Sequence, residues 1–247
     1  MTLGPTVVVL TGAASPIGQA IGRRFAAKGA RLVLGDLAGD KLATFANELG
    51  GETVHVAGDL ASESVAAELV GSARRKFGRV DVLVNNAGGG IIREFLKHTP
   101  DTLRETVDRN LWTCLWCCRE ALPHMVEQNY GRIVNVGADS VRNGLWQHAA
   151  YNAAKGGMHG LTTGLAREFA SYDITVNTVA PCMVNTPMVK AATASGNLLI
   201  RQFTDVIPKG RPAETDEVAS MVEYLASDEA RFVTGQIISV NGGSTML

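Results

Sequence analysis

The stretch "VVVLTGAASPIGQAIG", residues 7–22, joins a short apolar run to a helical pattern through a turn of small residues. Consecutive β-branched and aliphatic residues suit a strand that is covered on both faces. Gly12 and Gly18 bracket the turn, and Pro16, with φ of about −65°, suits the first turn of the following helix. Small residues let the backbone approach a pyrophosphate, and the helix N-terminus attracts that anion. The stretch therefore predicts the first strand–turn–helix unit of a dinucleotide-binding fold.

The same alternation continues along the chain, because short apolar runs are separated by apolar residues at helical spacing. Seven such runs occupy residues 6–11, 31–36, 53–58, 80–85, 132–137, 174–179 and 236–240. They predict an α/β fold: a single doubly wound Rossmann domain over residues 1–247. Its seven-stranded, mostly parallel sheet has helices on both faces. The least regular part, about 185–213, follows the sixth run, and we expect it to form a substrate flap.

Composition argues against several partners. With 23 basic and 24 acidic residues the net charge is −1, which gives no electrostatic case for binding nucleic acid or an anionic membrane. The absence of an 18-residue apolar run and of a basic N-terminal region predicts no membrane helix and no signal peptide, hence a cytoplasmic location. The four cysteines suggest neither a disulfide framework nor a metal site, since no histidine or acidic residue is suitably spaced.

An acidic residue ends the second run, and another directly follows the third run. The carboxylate of Asp36 can accept hydrogen bonds from both adenosine ribose hydroxyls and would repel a 2′-phosphate. Leu37 follows it where an arginine would favour the phosphate, and Ser15 occupies a turn position where a basic residue could otherwise lie. We therefore predict NAD rather than NADP as the cofactor. Asp59, after the third run, is expected to bind the adenine amino group.

Six motifs, in this order, resemble the short-chain dehydrogenase/reductase family over the whole chain. They are "TGAASPIG", "NNAG" (85–88), "RNLW", "YNAAK", "APCMVNTPM" and "VNGG". The resemblance implies an oxidoreductase that transfers hydride to or from a nicotinamide. The cofactor-binding residues that the motifs and the two acidic positions imply are Gly12, Ser15, Ile17, Gly18, Asp36, Leu37, Asp59, Leu60, Asn86, Ala87, Gly88, Tyr151, Lys155, Pro181, Val184 and Thr186.

The resemblance also implies the catalytic roles. Tyr151 would exchange a proton with the alcohol, although a tyrosine with its ordinary pKa of about 10 is a poor base at neutral pH. Lys155 lies one helical turn further on the same face, where its ammonium would favour the phenolate and hold the nicotinamide ribose. Asn110, in a helix beside Lys155, would hold a water molecule that relays the proton.

The family serine that contacts the substrate oxygen falls on Ala138. Three explanations compete. Ser140 takes the role, since side chains two residues apart in an extended chain point the same way. Alternatively Asp139, Asn143 or His148 substitutes, or the donor has been lost through evolution or an engineered substitution. We include Ser140 in the predicted catalytic set.

Largely apolar residues are expected around the substrate, from the loop after the fourth strand, the segment after Ala138 and the flap. They are Ile91, Leu145, Trp146, His148, Met188 and Phe203. This set predicts a hydrophobic, cyclic secondary alcohol or ketone, and a weaker likeness points to family members that oxidise ring alcohols or diols. One alternative is a 3-oxoacyl-thioester reductase, although such enzymes typically use NADPH, which Asp36 disfavours. Another is a dinucleotide sensor or scaffold that has lost catalysis.

Two predicted helices, within residues 111–122 and 155–170, are apolar over much of their surface. In the family such helices commonly pair across a two-fold axis. We therefore predict a homotetramer, with the C-terminal stretch 240–247 close to a second interface.

Overall fold

A seven-stranded sheet forms the centre of the computed structural model, which describes residues 6–246. Residues 1–5 and Leu247 of the predicted domain lie outside the described residues. The strands are β1 (Val7–Thr11), β2 (Arg31–Asp36), β3 (Thr53–Ala57), β4 (Val82–Asn85), β5 (Gly131–Val136), β6 (Ile174–Pro181) and β7 (Ile237–Val240). All neighbouring pairs are parallel, in the order β3-β2-β1-β4-β5-β6-β7. The predicted doubly wound fold is confirmed.

Helices connect the strands and cover both faces of the sheet. They are α1 (Pro16–Ala27), α2 (Gly39–Leu49), α3 (Glu63–Phe77), α4 (Pro100–Val107), α5 (Thr113–Glu127), α6 (Ser140–Asn143), α7 (Ala149–Glu168), α8 (Pro187–Ala194), α9 (Leu198–Asp205) and α10 (Thr215–Leu225). A π-helical turn, Asp108–Trp112, joins α4 to α5, and 3₁₀ turns occupy Phe95–Lys97 and Asp228–Ala230. Within residues 6–246 no helix is long and apolar enough to cross a membrane.

The two-sided burial of β1 explains its continuous apolar sequence. Alternate side chains of a strand point to opposite faces. Val8 and Leu10 accordingly enter the core packed by α1, α2 and α10, whereas Val7 and Val9 enter the core packed by α3, α5 and α7. Each face therefore has its own hydrophobic core.

The strand order reverses between β1 and β4, which opens a crevice at their carboxyl ends. Open α/β sheets bind ligands at such a switch point. Here Thr11 and Asn86 link the two strand ends. The Thr11 hydroxyl oxygen accepts hydrogen bonds from the Asn86 and Ala87 N–H groups at 3.0 and 2.9 Å, and Asn86 Nδ2 donates to the Gly12 carbonyl at 2.9 Å.

The segment 185–213 is more regular than the sequence indicates, because it contains α8 and α9. Its two ends lie side by side: Asn185 N–H donates to the Ala213 carbonyl at 2.7 Å, and Ala213 N–H donates to the Met183 carbonyl at 2.9 Å. The segment thus leaves the end of β6 and returns to the same place. That it moves as a flap stays a prediction.

Candidate active site

The turn after β1 leaves no room for a side chain at either of its two glycines. Gly12 has a φ of +62°, and a Cβ there would lie 2.8 Å from Ala87 Cα. A Cβ at Gly18 would lie 2.1 Å from the Gly12 carbonyl oxygen. Ser15 caps α1, since its Oγ accepts from Gly18 N–H at 3.1 Å and donates to the Gly12 carbonyl at 2.7 Å. Pro16 occupies the first turn of α1, where a proline needs no N–H.

A cavity of about 650 Å³ extends from this turn past the end of β2. Asp36 lines it and also organises the surrounding backbone, because its two carboxylate oxygens accept from Ala14 and Ala38 N–H, both at 2.9 Å. Each oxygen keeps further acceptor capacity for a ribose hydroxyl. Lys41, which the sequence reasoning did not single out, lines the same cavity.

A second cavity, of about 330 Å³, adjoins the first and reaches the catalytic residues. The two cavities share Ser15, Pro16, Asn86, Gly88 and Gly89, so they form one groove. Every predicted cofactor residue except Gly18 lines one cavity or the other. With an acid at one end, a glycine turn in the middle and a Tyr–Lys pair at the other end, the groove fits an extended dinucleotide.

Tyr151 and Lys155 lie on one face of α7 and both line the second cavity. Lys155 Nζ donates to the Val136 carbonyl at 2.8 Å and lies 6.0 Å from the centre of the Tyr151 ring. Burial raises the pKa of Tyr151 to about 12 and lowers the pKa of Lys155 to about 8. The sequence predicts that Lys155 lowers the pKa of Tyr151, whereas in the structure that pKa is raised. Desolvation of the half-buried phenol outweighs the more distant ammonium.

Asn110 lies in the π-helical turn between α4 and α5 and is fully buried. Its Nδ2 donates to the carbonyls of Thr106 and Gly89 at 2.8 and 3.0 Å, and its Oδ1 accepts from Gly89 N–H at 3.1 Å. Gly88 lies between Asn110 and Lys155, since a Cβ there would be 2.7 Å from Asn110 Oδ1 and 3.2 Å from Lys155 Nζ. The two side chains are thus close, and the water-holding role of Asn110 stays a prediction.

The loop after β5 differs from the sequence expectation. The chain is not extended from Ala138 to Ser140: Asp139 has helical angles (φ −65°, ψ −27°) and Ser140 begins α6. The argument that residues 138 and 140 share a side of a strand was therefore wrong. Ser140 nevertheless lines the same cavity as Ala138 and Tyr151, because the turn into α6 directs it there. Its Oγ donates to Asn152 Oδ1 at 2.6 Å, which leaves its lone pairs free.

Of the three other proposed replacements for the serine, one lines the catalytic cavity and two do not. Asp139 and Asn143 do not line the catalytic cavity. The Asp139 carboxylate instead accepts hydrogen bonds from side chains within residues 239–245. His148 does line the cavity.

The predicted substrate residues fall into two groups. Leu145, His148 and Phe203 line the catalytic cavity, whereas Ile91, Trp146 and Met188 are not among its lining residues. Trp146 is 55% exposed and Met188 80% exposed. The sequence reasoning missed Met183 and Gly89, which line the groove next to predicted motif residues. Within residues 6–246, no group of three His, Cys, Asp or Glu side chains is placed to hold a metal ion.

Comparisons with known proteins identify relatives that cover almost the whole chain. The family model described as "Enoyl-(Acyl carrier protein) reductase" matches residues 12–245. A 2,3-dihydroxy-2,3-dihydro-p-cumate dehydrogenase from Pseudomonas putida is 57% identical over 246 residues, covering 98% of this chain and 95% of the relative. A cis-4-hydroxycyclohexanecarboxylate dehydrogenase from Sinomonas cyclohexanicum is 38% identical over 245 residues, covering 97% and 96%.

A solved structure gives the same result. The crystal structure of a short-chain dehydrogenase/reductase from Brucella melitensis, titled glucose/ribitol dehydrogenase, has a TM-score of 0.88 at 33% identity and covers 98% of this chain and 97% of that chain. The fold and groove define a Rossmann-fold oxidoreductase. The chain belongs to the short-chain dehydrogenase/reductase family, and it is an enzyme that acts on CH–OH groups. The alternative of a sensor or scaffold without catalysis is therefore not retained.

Proposed function

We propose that this enzyme is an NAD-dependent dehydrogenase of cyclic secondary alcohols, with ring cis-dihydrodiols as its substrate class. The observation that carries the proposal is the pair of half-buried Tyr151 and buried Lys155 at one end of a groove whose other end carries Asp36. The 57% identical dihydrodiol dehydrogenase supports the choice of substrate class. The four free cysteines fit the predicted cytoplasmic location.

The cofactor would lie along the groove, with its adenosine ribose on Asp36 and its nicotinamide end near Val184, Thr186 and Lys155. A bound nicotinamide supplies the hydride acceptor for the carbinol carbon. Asp36 supports NAD over NADP because a carboxylate repels a 2′-phosphate. Lys41 lines the same cavity, so both cofactors belong in the test.

The proton is handled by the chain itself. As the substrate C–H bond breaks and its electron pair leaves with the hydride, the alcohol O–H proton passes to the Tyr151 oxygen and a ketone forms. The Lys155 ammonium stabilises the phenolate that accepts this proton. Ser140 Oγ contacts the substrate oxygen and so takes the role of the family serine, whose position Ala138 occupies. Leu145 and Phe203 provide apolar walls for a ring.

The test is absorbance at 340 nm with NAD and with NADP, on cis-dihydrodiols of carboxylated rings and, in reverse, on 3-oxoacyl thioesters. We expect NAD-dependent oxidation of the diols, with a rate that rises with pH because Tyr151, whose pKa burial raises to about 12, must be deprotonated. The rise should end near pH 8, where the Lys155 ammonium that stabilises the phenolate begins to be lost. Tyr151→Phe should abolish turnover while NAD binding by calorimetry remains. Turnover of the thioester with NADPH alone would overturn the proposal in favour of the reductase alternative.

A further inference from the structure

His148 is held between the catalytic helix and the segment 185–213. It precedes α7 directly, and its side chain packs edge-to-face against Tyr151 and Phe203, with ring centres 5.8 and 5.0 Å apart. The residue is 8% exposed and lines the catalytic cavity. Two aromatic neighbours therefore hold the imidazole beside the ring of Tyr151, the proposed proton-transfer residue.

The partner of one ring nitrogen determines the tautomer. His148 Nδ1 lies 2.7 Å from the Trp146 carbonyl oxygen, which can only accept, so Nδ1 carries the hydrogen. Burial lowers the pKa of His148, which keeps the ring neutral at neutral pH. Nε2 is then a bare acceptor. It has no hydrogen-bond partner within residues 6–246 and is not among the side-chain atoms buried there without one, so it keeps accessible surface on a residue that lines the catalytic cavity.

We propose that His148 selects vicinal diols: its Nε2 accepts a hydrogen bond from the hydroxyl next to the one that Tyr151 deprotonates. This inference rests on the proposed function and adds that His148 binds the second hydroxyl. That hydroxyl keeps its proton throughout, and no electrons move at His148. A substrate with a methylene at this position leaves Nε2 unpaired, and one with an ether or carboxylate oxygen sets an acceptor against an acceptor.

The first experiment uses the wild-type enzyme and NAD. It compares kcat/KM for a ring cis-diol, the matching monoalcohol and the diol whose second hydroxyl is O-methylated. We expect the diol to exceed both analogues by about 10-fold or more, because each analogue leaves a polar group unpaired. Equal kcat/KM for the diol and an analogue would overturn the inference while the proposed function stands. Failure to oxidise any of the three would instead count against the proposed function.

The second experiment uses His148→Phe, which keeps an aromatic ring between Tyr151 and Phe203 and removes Nε2. We expect the diol-to-monoalcohol ratio of kcat/KM to fall by about 10-fold, towards one. Leu145→Ala is the matched control, since it opens the same cavity without removing a polar atom, and it should keep the wild-type ratio. A parallel loss on both substrates in His148→Phe, or an equal fall of the ratio in Leu145→Ala, would show a packing role and overturn the inference.

Discussion

At the scale of single residues, Ala138 occupies the position at which the family resemblance predicts a serine. The Ala138 N–H faces His159 Nε2 at 3.5 Å. Burial lowers the pKa of His159 to about 4, so it remains a neutral acceptor. The nearest hydroxyl along the chain is Ser140, which reaches the catalytic cavity because the chain turns into α6.

If Ser140 replaces the family serine by accepting a hydrogen bond from the substrate hydroxyl, Ser140→Ala should lower kcat by about 10²–10³, the usual effect of losing one such hydrogen-bonding group. Ala138→Ser should then change kcat little. Stopped-flow rates at saturating NAD and diol would measure both. Asn152→Ala is the control, because it removes the same 2.6 Å hydrogen bond and leaves the Ser140 hydroxyl. An unchanged Ser140→Ala beside a much faster Ala138→Ser would show that the donor has been lost.

At the scale of elements, Asp139 fastens the loop between β5 and α6 to the end of the chain. Its carboxylate is 1% exposed. It accepts hydrogen bonds from Ser239 Oγ at 3.1 Å, Asn241 Nδ2 at 3.0 Å and Thr245 Oγ1 at 2.9 Å, and also from Ser244 Oγ. A buried carboxylate is tolerated only when it is satisfied in this way. The loop that carries Ala138 and Ser140 is therefore positioned by residues some hundred places further along the chain.

Asp139→Asn should destabilise the protein by about 2 kcal/mol or more, because an amide nitrogen replaces one acceptor oxygen among several donors and the charge-assisted bonds are lost. Urea unfolding measures the change. Thr245→Val, which removes a single donor and keeps the branched shape, should cost about 1 kcal/mol. Equal stabilities of Asp139→Asn and the wild type would contradict this role. We also expect kcat to fall in Asp139→Asn, since the loop loses its anchor.

At the scale of the whole molecule, α5 and α7 present an apolar groove of about 640 Å³ on the surface. Trp112 stacks on Trp116 with ring centres 5.2 Å apart, and Trp112 is 41% exposed. Leu161 and Leu165 of α7 line the same groove. A contiguous exposed apolar patch marks an interaction surface. It supports the predicted pairing of these two helices in a homotetramer.

Leu165→Glu should separate the subunits, because it places a charge in the apolar groove between paired helices. Light scattering at micromolar concentration should give about four times the 26.1 kDa chain mass for the wild type, and a lower mass for the variant. Lys76→Glu reverses a charge at an exposed position of α3. It is the control and should leave the mass unchanged. A wild-type mass of 26.1 kDa would contradict the tetramer.

Several features could be predicted from the chain alone because they depend on near neighbours in sequence. The apolar run at 7–10 required a strand buried on both faces, and the glycine turn with Pro16 required the helix start that follows. The Tyr151–Lys155 spacing required a shared helix face. Periodicity and backbone geometry act over a few residues, so the order of elements is determined by the sequence itself. The class of enzyme followed from the resemblance of six sequence motifs to a known family.

The finer properties of the site were decided only by the tertiary structure, because they depend on segments far apart in the chain. The Tyr151 pKa follows from burial, and the position of Ser140 follows from a turn that residues 239–245 hold in place. Trp146 and Met188 are as apolar as Leu145 and Phe203, yet they remain exposed while the latter pair line the cavity. Irregular loops carry no periodic signal, so only packing between distant elements determines which of their side chains reach the substrate.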